Sequence, residues 1–78
     1  MKQIQILGTG CVNCVRLERN AREAVAAVGI EAEITKVTDY ADIMSFGIMS
    51  TPGLVIDGKV LSVGRVPSTE QIKTWLVG

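Results

Sequence analysis

Histidine is absent from the 78 residues, aromatic side chains number three, and the charges cancel, with eight Lys and Arg against eight Asp and Glu. Each shortage excludes something. Without histidine there is no Cys–His nucleophile pair, no Ser–His–Asp triad, no C-x-x-C-H haem attachment and no two-Cys, two-His zinc finger. Without a basic surplus to neutralise phosphates, binding to nucleic acid is not expected. Long apolar runs are also missing. The longest spans 24–30 and is interrupted by Gly29, whereas a membrane-spanning helix needs about 20 apolar residues. The apolar stretch at the N-terminus is broken by Gln5 and ends at Leu7, short of the ~7–15 residues at the centre of a signal peptide. No membrane partner is therefore expected, and the cytoplasm, where thiols stay reduced, is the expected compartment.

Hydrophobic residues make up 47% of the chain, which suits a globular fold and not a disordered one. The length allows a single domain, 1–78. So short a chain buries only about 60–65% of its unfolded surface, so every element must contribute. With aromatics limited to Tyr40, Phe46 and Trp75, the core falls to Ile, Val, Leu, Ala and Met. Met44 and Phe46 are expected inside it, and Trp75 beneath a sheet.

Turn signals cut the chain into short elements. Residues 3–7 read as a strand with Ile4 and Ile6 on one face, ended by Gly8-Thr9-Gly10. Over 12–28 the pattern turns helical, and Cys14, Leu17, Ala21, Val25 and Val28 form an apolar stripe. Arg16, Glu18, Arg19, Arg22 and Glu23 form the solvated face, where Glu18–Arg22 and Arg19–Glu23 stand at helical pairing distance. Gly29 suits a helix C-terminus. A second strand follows at 31–37, whose charges suit a sheet edge. Thr38 or Asp39 can cap a short helix to about Phe46, with Gly47 as its stop. Leu54-Val55-Ile56 reads as a strand covered on both faces. Asp57-Gly58 is a hairpin signal, and 59–63 is the returning strand. Ser68 with Gln71 forms a capping box for a last helix that buries Ile72, Trp75 and Leu76. The order β-α-β-α-β-β-α implies a parallel pair joined to an antiparallel hairpin, hence an α/β fold with helices on a small mixed sheet.

Cys11-Val12-Asn13-Cys14 stands where the first strand hands over to the first helix. The first turn of a helix carries unpaired N–H groups and positive dipole, and thiols so placed have pKa values lowered from about 8.5 into the range 3.5–7.5. Spacing of three sets Cys14 beneath Cys11, on the apolar stripe. Cys11 is thus the attacking thiol and Cys14 the buried, resolving one. Two other readings compete. A disulfide staple closing so short a loop contributes only about 2 kcal/mol on the chain-entropy model. A soft-metal site is open to linear Cu(I), but a closed zinc site needs four ligands.

Thr51-Pro52 precedes the apolar strand. Together with the cysteine pair it carries a resemblance. The segments Gly10-Cys11-Val12-Asn13-Cys14 and Ser50-Thr51-Pro52-Gly53-Leu54-Val55-Ile56-Asp57-Gly58-Lys59-Val60, followed by Arg65-Val66-Pro67-Ser68, resemble the thioredoxin-fold superfamily. The closest likeness is to its small glutaredoxin-like redox-active disulfide proteins of archaea and bacteria, and it extends over essentially the whole chain. It implies a minimal thioredoxin-like fold, a mixed four-stranded sheet with three helices. It implies that Pro52 is cis and lies against the cysteines, and that the Thr51 backbone pairs with a bound substrate segment like an added strand. The implied activity is thiol–disulfide exchange through the redox disulfide Cys11–Cys14, without cofactor or metal. The implied partners are a protein disulfide substrate and an upstream reductase. Val12 and Asn13 replace the Gly-Pro of thioredoxins and the Pro-Tyr of glutaredoxins, so redox poise does not carry over. Val63-Gly64 replaces the Gly-Gly turn that helps glutaredoxins hold glutathione, which argues against that ligand.

The alternative functions are a soft-metal-binding module or metallochaperone using the same cysteines, and a non-catalytic adaptor. Heavy-metal-associated domains place C-x-x-C similarly but end in a strand, whereas this chain ends in a capped helix. A monomer is expected from the charged second strand.

Overall fold

The structure, a computed structural model, describes residues 1–77. Its elements are β1 (Lys2–Leu7), α1 (Val12–Val28), β2 (Ala32–Val37), α2 (Tyr40–Ser45), β3 (Gly53–Ile56), β4 (Lys59–Val63) and α3 (Thr69–Val77). The sheet order is β2-β1-β3-β4. β1 and β2 are parallel, with Ile4 opposite Ile34. β3 runs antiparallel to β1, with Ile6 opposite Leu54, and also antiparallel to β4. This is the expected α/β arrangement of three helices on a mixed four-stranded sheet.

The central strands explain the layering. Ile4 and Ile6 of β1 and Leu54 and Ile56 of β3 face α1 and α3, where they meet Leu17, Ala21, Ala24, Ile72 and Leu76. Leu7 and Val55 face the other way and pack with Ile43 of α2 and Ile48. All four residues of β3 are buried, as a continuously apolar strand requires. The charged β2 lies at an edge.

Several expectations are corrected by packing between elements. On α1 the buried stripe is Cys14, Leu17, Ala21 and Ala24, while Val25 and Val28 are half-buried. The helix lies against α3 as well as the sheet, and small residues suit such a close contact. Glu18 pairs with Arg22 at 2.9 Å, but Arg19–Glu23 does not form. The Glu23 carboxylate instead accepts a hydrogen bond from Thr69 Oγ1 at 3.2 Å, at the start of α3. Met44 is 45% exposed and Phe46 is half-buried. α2 is only six residues long, so Ile43 alone turns to the sheet and its neighbour Met44 points outward. Trp75 is half-buried against the α1–α3 core. β4 carries a bulge, because Leu54 pairs with Ser62 and Val55 with Val60, leaving Leu61 without an opposite number.

The caps follow the local chemistry. Gly29 is left-handed at φ 76° and its N–H reaches the Val25 carbonyl. Asp39 accepts the N–H groups of Ala41 and Asp42. Ser68 Oγ accepts the Gln71 N–H at 3.1 Å.

Asp57 turns the hairpin at φ 51°. It also ties that hairpin to β1, since its carboxylate accepts the Gln3 N–H at 2.9 Å and meets Lys2 Nζ at 3.2 Å. The Gln3 hydrogen bond first, then Lys2, hold its carboxyl below the usual range. A carboxyl depressed in the folded state stabilises above its unfolded pKa, and that stability is lost as pH falls through the folded value. Asp57→Asn is therefore expected to lower the melting temperature at neutral pH. The difference from wild type should shrink below about pH 4, as thermal melts across a pH series would show.

Candidate active site

β1 ends at Leu7, and the loop from the buried Gly8 through Gly10, at φ 94°, delivers Cys11 to the head of α1. Cys11 is the N-cap residue, with extended backbone at φ −68° and ψ 167°. Its Sγ accepts the Cys14 N–H at 3.2 Å, and its carbonyl accepts the Val15 N–H. A cysteine here does the work usually left to Ser, Thr, Asp or Asn. The first turn of α1 contains no acidic residue, so nothing cancels the positive end of the helix. A thiolate at Cys11 would be held by both effects.

The two cysteines form a disulfide with Cα atoms 5.0 Å apart. Cys11 is exposed, whereas Cys14 is 5% exposed. A partner molecule can thus reach the first sulfur and not the second.

Pro52 is fully buried and follows a cis peptide bond from the exposed Thr51. Its carbonyl accepts the Gly64 N–H at 2.8 Å, and among the described residues no backbone hydrogen bond within the chain involves Thr51. Gly8 joins the two halves of the site. A Cβ built on it would run into the Cys14 sulfur, come within 3.2 Å of Cys14 Cβ and lie 4.0 Å from Pro52 Cα. Cys14 and the proline loop thus lie close to one bare residue just beyond the end of β1.

A cavity of about 70 Å³ also borders Cys14, lined by Ile6, Gly8, Gly10, Cys14, Val15, Glu18, Lys36 and Thr38. Glu18 lies one helical turn beyond Cys14, and its side chain is 18% exposed rather than fully solvated. Its carboxylate accepts Arg22 Nε at 3.0 Å and lies 3.5 Å from Lys36 Nζ of β2. The Arg22 hydrogen bond holds the carboxyl below its usual range. Partial burial opposes it, and the Lys36 and Arg22 charges reinforce it. Sequence reasoning placed Glu18 on the solvated face and overlooked Gly8, Lys36 and Thr38. The available signal was the spacing of four between Cys14 and Glu18; the lysine comes from another strand and left none.

Two thiols are the soft ligands here, and no cluster of three or more Cys, Asp or Glu occurs among the described residues. The larger groove, about 530 Å³ and lined by Lys2, Asp57, Lys59 and Trp75 among others, contains neither cysteine. Among the described residues no helix is long and apolar enough to cross a membrane.

Residues 2–77 match the family model for the thioredoxin domain. A thioredoxin of Methanothermobacter thermautotrophicus is 51% identical over 73 residues, covering 94% of this chain and 95% of its own. A thioredoxin of Methanocaldococcus jannaschii is 42% identical over 73 residues, covering 94% of this chain and 84% of its own.

Two substitutions test the surroundings of Cys14. Gly8→Ala forces the Cys14 side chain off its seat, and overpacking of this kind costs about 1–3 kcal/mol. Denaturant titration of the oxidised protein should show that loss. Glu18→Gln removes a negative charge from the cavity and frees Lys36. The Cys14 thiol pKa in the reduced protein should then fall, as read by the pH dependence of its alkylation in a Cys11→Ser background.

Proposed function

The chain belongs to the thioredoxin domain family and is a thiol–disulfide oxidoreductase, and we propose that it reduces protein disulfides with Cys11 as nucleophile and Cys14 as resolving thiol. The observation that carries this reading is the asymmetry of the pair. Cys11 is exposed on the helix N-cap, and Cys14 is buried one turn behind it.

In the reduced protein the Cys11 thiolate attacks one sulfur of the substrate disulfide. The substrate S–S bond breaks, a Cys11–substrate disulfide forms, and the other substrate sulfur leaves as a thiolate that takes up a proton. Cys14 then loses its proton and attacks Cys11 Sγ, forming the internal disulfide and releasing the second substrate thiol. Two electrons and two protons pass to the substrate. An upstream reductase returns the same number to the oxidised pair.

The exposed Thr51 backbone, with no partner of its own among the described residues, pairs with the substrate as an added strand. Pro52 forms the floor beside it. The turn at Val63-Gly64 is committed to the proline loop through the Gly64 N–H, so glutathione is not the preferred partner. A pair that cycles in this way works in a thiol-reducing compartment, the cytoplasm.

Trapping tests the assignment. Cys14→Ser should accumulate a mixed disulfide with its substrate, recovered under non-reducing conditions and released by dithiothreitol. Cys11→Ser should trap nothing and lose reductase activity on insulin. Adducts through Cys14 in the Cys11→Ser protein, or full activity without Cys11, would sink the assignment.

A further inference from the structure

The charges around Cys11 are one-sided. The segments that meet at the thiol end of the sheet are 8–16, 38–39, 46–53 and 63–67, and they contain two arginines, Arg16 and Arg65, against one carboxylate, Asp39. In a chain whose acids and bases balance, this is a local surplus. Both arginines are exposed, and neither enters an ion pair among the described residues.

The two arginines lie on the same flank. Asn20, one turn beyond Arg16 on the same face of α1, donates to the Pro67 carbonyl at 3.0 Å. That side of the helix therefore looks toward the segment carrying Arg65. Arg65 follows Gly64, whose N–H is bonded to the Pro52 carbonyl. Arg16 lies about 7 Å along the helix from Cys11. The uncancelled N-terminus of α1 adds positive potential at the same place. The two acids nearest this end of the sheet are already engaged: Asp39, just after β2 at the far edge from β4, caps α2, and Glu18, one turn beyond Cys14, is held by Arg22 and Lys36. Exposed apolar side chains complete the surface: Val12 at 70%, Met49 at 93% and Val63 at 40%.

We infer that this face takes a partner protein whose disulfide is flanked by an acidic and an apolar side chain. The acidic group meets Arg16 and Arg65, and the apolar one covers the valines and Met49. The inference rests on the exchange reaction proposed above and names its substrate class.

The test is the single-turnover rate constant for oxidation of the reduced protein by three disulfides. Two are synthetic cyclic peptides differing only in Glu or Lys beside an apolar residue next to the disulfide. The third is the neutral bis(2-hydroxyethyl) disulfide. The Glu peptide should react about fivefold faster than the Lys peptide at low ionic strength. The ratio should approach one in 1 M salt, where the screening length is about 3 Å. Replacing both arginines, as Arg16→Glu with Arg65→Glu, should invert the ratio. Lys59→Glu, at the opposite end of the sheet, should leave it unchanged, which separates a local effect from one of net charge. Equal rates for the two peptides, or a ratio insensitive to the arginines, with the neutral disulfide still reduced, would overturn the inference alone. No reaction with any of the three would overturn the exchange reading and this inference with it.

Discussion

The site depends on one close contact, between the bare backbone of Gly8 and the side chain of Cys14. At that point the central strand has ended, the first helix has begun, and Pro52 approaches from the third strand's side. A side chain at position 8 would separate these pieces. Its absence lets β1 deliver Cys11 to the helix N-cap while Cys14 sinks to 5% exposure behind it. The proposed exchange needs that arrangement, because an attacking sulfur must meet another molecule whereas a resolving sulfur needs to reach only the first one.

The rest of the fold serves to keep this contact still. β1 and β3 are the two interior strands and carry core on both faces. Leu7, directly before Gly8, is fully buried, as are Leu54 and Val55, just beyond Pro52 and Gly53. A domain of this size has little core to draw on, and much of it is concentrated beside the cysteine and proline segments. The charged and bulged strands lie at the edges, where irregularity costs less.

What was legible in the sequence was what local chemistry decides. The seven elements, the Asp39 and Ser68 caps, the left-handed Gly29 and the Asp57-Gly58 turn all follow from residues within a few positions of one another. The cysteine motif and Thr51-Pro52 were legible for the same reason. What could not be read depends on partners distant in sequence. Ala24 displaces Val25 in the core because α3 packs on α1. Glu23 abandons Arg19 because Thr69 arrives from α3. Glu18 looked like half of a surface helix pair until Lys36 of β2 closed the cavity beside Cys14. Gly8 was visible as a loop residue, but its role required knowing which side chain would lie against it.

The same distinction governs the charges. Zero net charge argues against nucleic acid but does not say which protein partner is favoured as long as the charges are treated as a sum. In the folded chain several acids already have local work: Asp39 caps α2, Asp57 binds Gln3 and Lys2, Glu18 holds Arg22 and Lys36, and Glu70 meets Lys73. These uses draw carboxylates toward helix starts, the hairpin and the strand edges. None falls in the first turn of α1 behind Cys11, where a carboxylate would oppose a thiolate and blunt the helix terminus. Keeping acids away from the proposed nucleophile leaves an arginine there without an internal partner. The proposed activation of a thiolate and the inferred attraction of an acidic substrate thus arise from a single constraint on where negative charge is permitted.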